Sequence, residues 1–145
     1  MNWDTGLEIS GSGMTAQRVR LDTIANNLAN VETTRGVWGE AYRRQMPVFQ
    51  QRGSGSFLPM AFFPGGGSAG AGVRVTGIVS DPSPLRLVYD PEHPDADEEG
   101  YVTMPNVNVV MEMTDLIAAT RAYEANATAF DATKSIWQRA LEIGG

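Results

Sequence analysis

The chain has 145 residues, 42% of them apolar and 19% charged, with a net charge of −6. That is one domain's worth of polypeptide, able to bury a modest core, and its balance is neither that of a disordered segment nor that of a membrane protein. With no cysteine, one histidine and no basic patch, it excludes disulfides, thiol chemistry, a histidine metal cluster and nucleic-acid binding.

Met1 to Asp4 lack the basic start and apolar core of a cleavable signal peptide, so any export is expected to use another route. A first helix is predicted from Thr5, which has capping-box spacing to Glu8, as far as Leu28 or Val31. Leu7, Met14, Leu21 and Leu28 recur every seven residues, the interval of a coiled-coil seam. The alternate seam positions hold Ser10, Gln17 and Ile24, so half of the stripe is polar. Gly11 and Gly13 weaken the early turns by about 1 kcal/mol each relative to alanine. Such a helix is marginal alone and needs a partner.

Every proline lies between Pro47 and Pro105. Within that interval, Tyr42 to Gln50 reads as a strand, placed at a sheet edge by Pro47. Residues 53–72 contain seven glycines and read as a flexible loop, interrupted by the apolar island Phe57 to Phe63, which is suited to docking on a neighbour. Val73 to Ser80 and Leu85 to Tyr89 are predicted strands around the turn signal Asp81-Pro82-Ser83-Pro84, and Tyr101 to Met104 is a short last strand. Residues 81–104 carry a charge of −6, the whole net charge of the chain. The acids before Gly100 imitate a calcium loop, but the twelfth position counted from Asp95 holds Asn106 where glutamate is required. A solvated turn is expected there, with His93 on the surface. Gly65-Gly66-Gly67 lacks the lysine of a phosphate loop, and no serine, histidine and acid fall into a triad pattern.

A long second helix is predicted from Asn106 to Glu142, capped by Asn106 or Asn108. Seven of the fifteen residues from Ala118 to Ala132 are alanine, and Gly144 is a natural stop. Val109, Leu116, Tyr123, Phe130 and Trp137 repeat the seven-residue interval. The helix would be about 55 Å long, against a diameter of about 40 Å for a compact globule of this chain length. Part of its stripe must therefore meet other subunits, lie exposed, or stay unfolded until assembly. Asn26, Asn27, Asn30 and Asn126 read either as polar surface or as register-fixing groups inside a helical seam. Arg121 reads as the partner of Glu124 on the helix surface, or as a bridge to a neighbouring subunit.

Several of these segments resemble the flagellar basal-body rod proteins, most closely those of the proximal rod. Ala25-Asn26-Asn27-Leu28-Ala29-Asn30 resembles the family's N-terminal signature, and Tyr42-Arg43 and Val48-Phe49 fall in a matching stretch. Gly100 to Val110 is the most specific match, and Glu112-Met113 through Asn126 is similar to the C-terminal signature of rod and hook proteins. The resemblance leaves out residues 53–72, and nothing is carried over to them. The resemblance implies a structural subunit whose terminal helices pair into a rod core and pack helically into a hollow tube. It also implies export through the flagellar type III apparatus without a cleaved signal, and a place in the periplasmic part of the basal body.

The expected fold is mainly α with a small β insertion. Residues 1–31 with 106–145 form a coiled-coil rod core, and residues 32–105 form a β-rich insertion that includes the loop 53–72. The expected function is a non-enzymatic drive-shaft subunit for motility, without cofactor, metal, nucleic acid or membrane insertion. Its partners are copies of itself, other rod subunits and, during secretion, the export apparatus. The expected assembly residues are Leu7, Met14, Leu21, Asn26, Asn27, Leu28, Asn30, Val109, Met113, Leu116, Arg121, Tyr123, Asn126, Phe130 and Trp137. The alternatives are another flagellar axial subunit, or a small metal-binding or adaptor module built on the acidic loop.

Overall fold

The computed structural model describes residues 3–36, 39–52 and 72–144. Six elements follow in order: helix α1 (Trp3–Ala29), strands β1 (Gln45–Gln51), β2 (Val73–Ser80), β3 (Arg86–Tyr89) and β4 (Tyr101–Met104), and helix α2 (Val109–Gly144). The architecture is mostly helical, with two terminal helices and two hairpins between them, as the periodicities predict. The predicted loop 53–72 and the Phe57 to Phe63 island fall almost wholly outside the described residues. Among those residues no helix is long and apolar enough to cross a membrane.

α1 begins at Trp3, so the capping box predicted at Thr5 does not form. An N-cap residue needs non-helical dihedrals, and Thr5 already lies inside the helix, while Glu8 faces Arg52 at 3.7 Å. α2 begins at Val109 and not at Asn106. Asn108 is its cap: Oδ1 accepts from the amides of Val110 (3.0 Å) and Met111 (3.2 Å). Asn106 serves as a cross-chain staple. Its Oδ1 accepts the Arg44 amide at 2.8 Å, and its Nδ2 donates to the carbonyls of Asp81 and Ser83.

The two helices lie antiparallel, with Gly6 opposite Thr133, Gly13 opposite Asn126 and Arg20 opposite Asp115. Their contact is built from small side chains. Ala16 and Ala119 are buried, and a Cβ at Gly13 would lie 2.7 Å from Asn126 Oδ1. The low helix propensity of Gly13 is thus the condition for the closest approach of the pair, whereas Gly11 has open space beside it. The predicted seam residues Leu7, Met14, Leu21 and Leu28 are only half-buried. α1 also packs against β1 and β2.

The hairpins are two separate two-stranded sheets. β1 and β2 pair from Gln45 opposite Ser80 to Gln51 opposite Val73, with a register shift between Val48 and Phe49. β3 and β4 pair from Arg86 opposite Met104 to Tyr89 opposite Tyr101. β1 starts at Gln45, three residues later than predicted, because Tyr42 and Arg44 turn toward the helices. The first hairpin docks on α1 through Ser12, whose hydroxyl accepts the Val73 amide at 3.1 Å and donates to the Ile9 carbonyl. Gly72 makes this approach possible: its φ of +94° suits glycine, and the Ser12 side chain fills the place of a Cβ.

Gly72→Ala is therefore expected to lower stability by about 1–3 kcal/mol, read as a lower midpoint in urea unfolding. Gly77→Ala, where nothing lies within 4 Å of a new Cβ, is expected to change it by less than about 1 kcal/mol.

Candidate functional site

Among the described residues, two of the four largest fully buried side chains are polar. Where the end of α1 meets the start of α2 and the lead-in to β1, Asn27 is 1% exposed and Glu112 is 0% exposed. Asn27 Oδ1 accepts from the Gln45 amide and the Tyr42 hydroxyl, both at 2.9 Å. Its Nδ2 donates to the Gln45 carbonyl at 2.9 Å and to Glu112 Oε2 at 3.0 Å. All four bonding positions of the amide are used. By holding both backbone groups of Gln45, the side chain stands in for a neighbouring strand and fixes where β1 begins.

Arg44 is the cation of this junction. Its Nε lies 2.5 Å from Glu112 Oε1, its Nη2 3.4 Å from Asp115 Oδ2 and its Nη1 3.8 Å from Asp81 Oδ2. Asp115 also pairs with Arg20 of α1 at 3.2 Å. Three acids thus surround one guanidinium, with a second shared through Asp115. Burial, and next the Glu112 charge, raise the Tyr42 pKa above its ordinary value of 10.0. The hydroxyl and amide of Ser83 hold the Asp81 carboxyl below its usual value, with Arg44 contributing less.

Only Asn27 of this set was singled out from sequence as a site residue. It is neither polar surface nor unpartnered: the register it fixes within the chain is that of Gln45 against the helices. Asn26 reaches the Tyr42 hydroxyl (3.2 Å) and Gln45 Oε1 (3.3 Å), and Asn30 bonds back to Asn26. Glu112, Arg44, Asp115, Asp81 and Arg20 were missed as a group. One signal was present: Glu112 lies three residues after Val109 and four before Leu116, an acid beside an apolar helix stripe.

The other predicted residues form a half-covered surface. Leu116 and Phe130 join Leu7, Met14, Leu21 and Leu28 as half-buried, while Val109, Met113, Tyr123 and Trp137 are exposed. Asn126 donates to the Ala122 carbonyl beside Gly13. Arg121 is exposed, and among the described residues it forms no ion pair with Glu124. In the acidic loop the carboxylates organise turns. Asp97 Oδ1 accepts the amides of Glu99 (3.0 Å) and Tyr101 (2.8 Å), and Asp95 binds Thr34 and Arg35. No group of three or more His, Cys, Asp or Glu residues among those described has the geometry to hold a metal ion.

Two family models match the chain. One, described as flagella basal body rod protein, covers residues 7–35, and the other, flagellar basal body rod FlgEFG protein C-terminal, covers residues 98–143. The chain is 51% identical to the flagellar basal-body rod protein FlgC of Bacillus subtilis, over 95% of each sequence. It is 46% identical to that of Borreliella burgdorferi, over 96% of this chain and 95% of the relative. With that of Salmonella typhimurium the identity is 38%, over 94% of each. The chain belongs to the FlgC family of flagellar basal-body rod proteins. It is a structural subunit and not an enzyme, and its burial fits that role: the polar junction has every partner it needs and offers no open coordination or reacting group.

Glu112→Ala is expected to destabilise the protein by about 1–3 kcal/mol, since it removes the nearest of the three carboxylates around a largely buried arginine and leaves one Asn27 donor unpaired. Glu112→Gln is expected to cost less. Urea unfolding at neutral pH measures both. Tyr42 gives a second expectation. Because its folded-state pKa is raised, its contribution to stability is complete below pH 10.0 and is lost as pH climbs through the higher folded value. Unfolding free energy should fall above that pH, and Tyr42→Phe should flatten the fall.

Proposed function

We propose that this subunit assembles with copies of itself and other rod subunits into a helical tube, through surfaces on its two terminal helices, and so transmits torque. The carrying observation is the state of α2. Tyr123, Ile136, Trp137 and Leu141 are exposed, and Ile143 is 88% exposed, while nearer the junction Val110, Met111, Met113 and Ile117 are exposed as well. Large apolar side chains left in water at this density along one helix mark surfaces suited to a partner, and covering them yields about 25 cal/mol per Å².

In this reading residues 1–31 and 106–145 are the rod core, with the helices forming a coiled coil that neighbours complete, and residues 32–105 are an insertion carried on it. Leu7, Met14, Leu21, Leu28, Leu116 and Phe130 line the seam inside the protomer. Val109, Met113, Tyr123 and Trp137 meet neighbours, with Arg121 and the amides of Asn26, Asn30 and Asn126 at the rim. Packed side chains resist twist because they cannot slide without opening voids. The polar junction makes the insertion turn with the helices.

Export through the flagellar type III apparatus without a cleaved signal, and a periplasmic position in the rod, complete the proposal. Family membership supports both. The export route also suits the chain: without cysteine, and with helices that meet through alanine, glycine, asparagine and threonine, it can stay unfolded in transit and gain its stability on arrival.

Tyr123→Asp tests the surface. It is expected to abolish flagellar assembly and swimming while the subunit is still secreted, because a carboxylate on the buried side of a subunit contact is left without a partner. Motile cells carrying the variant would refute the assignment.

A further inference from the structure

A solvated antiparallel hairpin ordinarily turns one face to the core and a polar face to water. In the β3–β4 hairpin both faces carry large apolar side chains. Val102 is buried on the inner face, opposite the half-buried Val88. The outer face holds Leu87, Tyr89 and Tyr101, all exposed, the first two at 65% and 64%.

The two tyrosines are held in place. They face each other across the strands, with ring centroids 5.3 Å apart and planes at 66°, an edge-on pair. Gly100, with φ +83°, leaves room for the Tyr89 ring: a Cβ there would lie 2.9 Å from its Cε2. The Tyr101 amide is fixed by Asp97 Oδ1. A rigid aromatic pair that covers little of the core is suited to an external contact.

Charge selects the kind of contact. The loop that joins the tyrosines, Asp90 to Gly100, carries six carboxylates and no lysine or arginine. Among the described residues only Asp95 of these forms an ion pair, with Arg35. Glu92, Glu98 and Glu99 are exposed. Arg43 donates to the Ser83 carbonyl ahead of β3, and Arg86 lies opposite Met104, so both belong to the end of the hairpin away from the loop. Ring faces and carboxylates both attract guanidinium and ammonium groups. A second copy fits this surface badly. Arg43-Arg44 is the one adjacent basic pair in the sequence, Arg44 is committed to Glu112, and each copy carries −6.

We propose that the outer face of β3–β4 and the acidic loop docks a basic segment of a different polypeptide, with cationic side chains on Tyr89 and Tyr101 and an apolar one over Leu87. The surface belongs to the insertion and not to the terminal helices. It adds a partner outside the contacts proposed for α1 and α2, and it does not depend on the rod-subunit reading.

The test is fluorescence anisotropy of a labelled peptide of alternating arginine and leucine, titrated with the full-length chain. Saturable binding is expected, weakened about tenfold by E92Q/E98Q/E99Q, which removes several exposed charge pairs together. Y89L/Y101L should weaken it about fivefold through the lost ring faces. L87S, which leaves the tyrosines and the loop intact, should weaken it about threefold. E124Q/D131Q/E142Q removes the same charge from exposed positions on α2 and should bind as the parent chain does. Equal losses from the two glutamine variants would mean diffuse attraction to an acidic protein and overturn the proposal. So would a peptide that does not bind, or parent-like binding by both Y89L/Y101L and L87S. A dimer of the parent chain that L87S dissociates in sedimentation would make a second copy the occupant, and would overturn it too.

Discussion

A guanidinium and a carboxylate withdrawn from water decide how this protein is put together. Arg44 stands between the insertion and the helices, and Glu112 is fully buried against it. Removing two charges from water costs several kcal/mol each, and an apolar pair of similar volume would often be as stable or more so. What the polar version adds is direction. A leucine pair packs in many rotations of one segment against another, whereas Arg44 meets Glu112, Asp115 and Asp81 from one orientation. Asn27 extends the constraint to the backbone by saturating both groups of Gln45. The first hairpin therefore leaves the helices at a single fixed angle.

That constraint has weight because little else holds the fold. The two hairpins do not join into one sheet, and among the described residues the buried hydrophobic side chains are few: Ala16, Ile24, Val102, Val107 and Ala119, with Pro105 beside them. Two-stranded sheets are marginal in water, so each depends on its attachment. The first is held by Ser12 and Asn27 on α1, and Asn106, just past β4, fastens the second to the backbone at Arg44, Asp81 and Ser83. Stability is concentrated at the junction and thins toward the far end of α2, where residues 135–143 are all exposed. A chain organised this way holds its orientation at the junction and leaves the far end of α2 uncovered.

Much of the architecture was legible because it follows from local periodicity. The seven-residue stripes, the run of alanines and the Asp81-Pro82-Ser83-Pro84 turn each dictate an element within one window of sequence. The Asn108 cap was one of two candidates, and only the demand of the Arg44 amide for Asn106 separates them. The misreadings share that cause. Thr5 and Glu8 have the spacing of a cap, but spacing cannot say whether the turn before them is already helical. Tyr42 has a strand former's side chain, yet its hydroxyl is claimed by Asn27, fifteen residues away. The junction was the hardest to see, since Arg44 and Glu112 are 68 residues apart and neither carries a mark of its partner. Only the incongruity of an acid beside an apolar stripe pointed there.

The same incongruity explains why the seam is half polar. A stripe of leucines at every position would close the two helices into a self-sufficient hairpin and leave neighbours nothing to gain. Here the positions facing the partner helix are filled by Ala119, Asn126 and Thr133 on α2, and by Gly6, Gly13 and Ala16 on α1. Small residues bring the backbones close without burying much apolar area, so the contact specifies geometry more than it supplies energy. The large side chains are turned outward or left half-covered, Tyr123 and Trp137 among them. The division is therefore clear within the chain: orientation is fixed by polar contacts, and the large apolar side chains are left toward the surface.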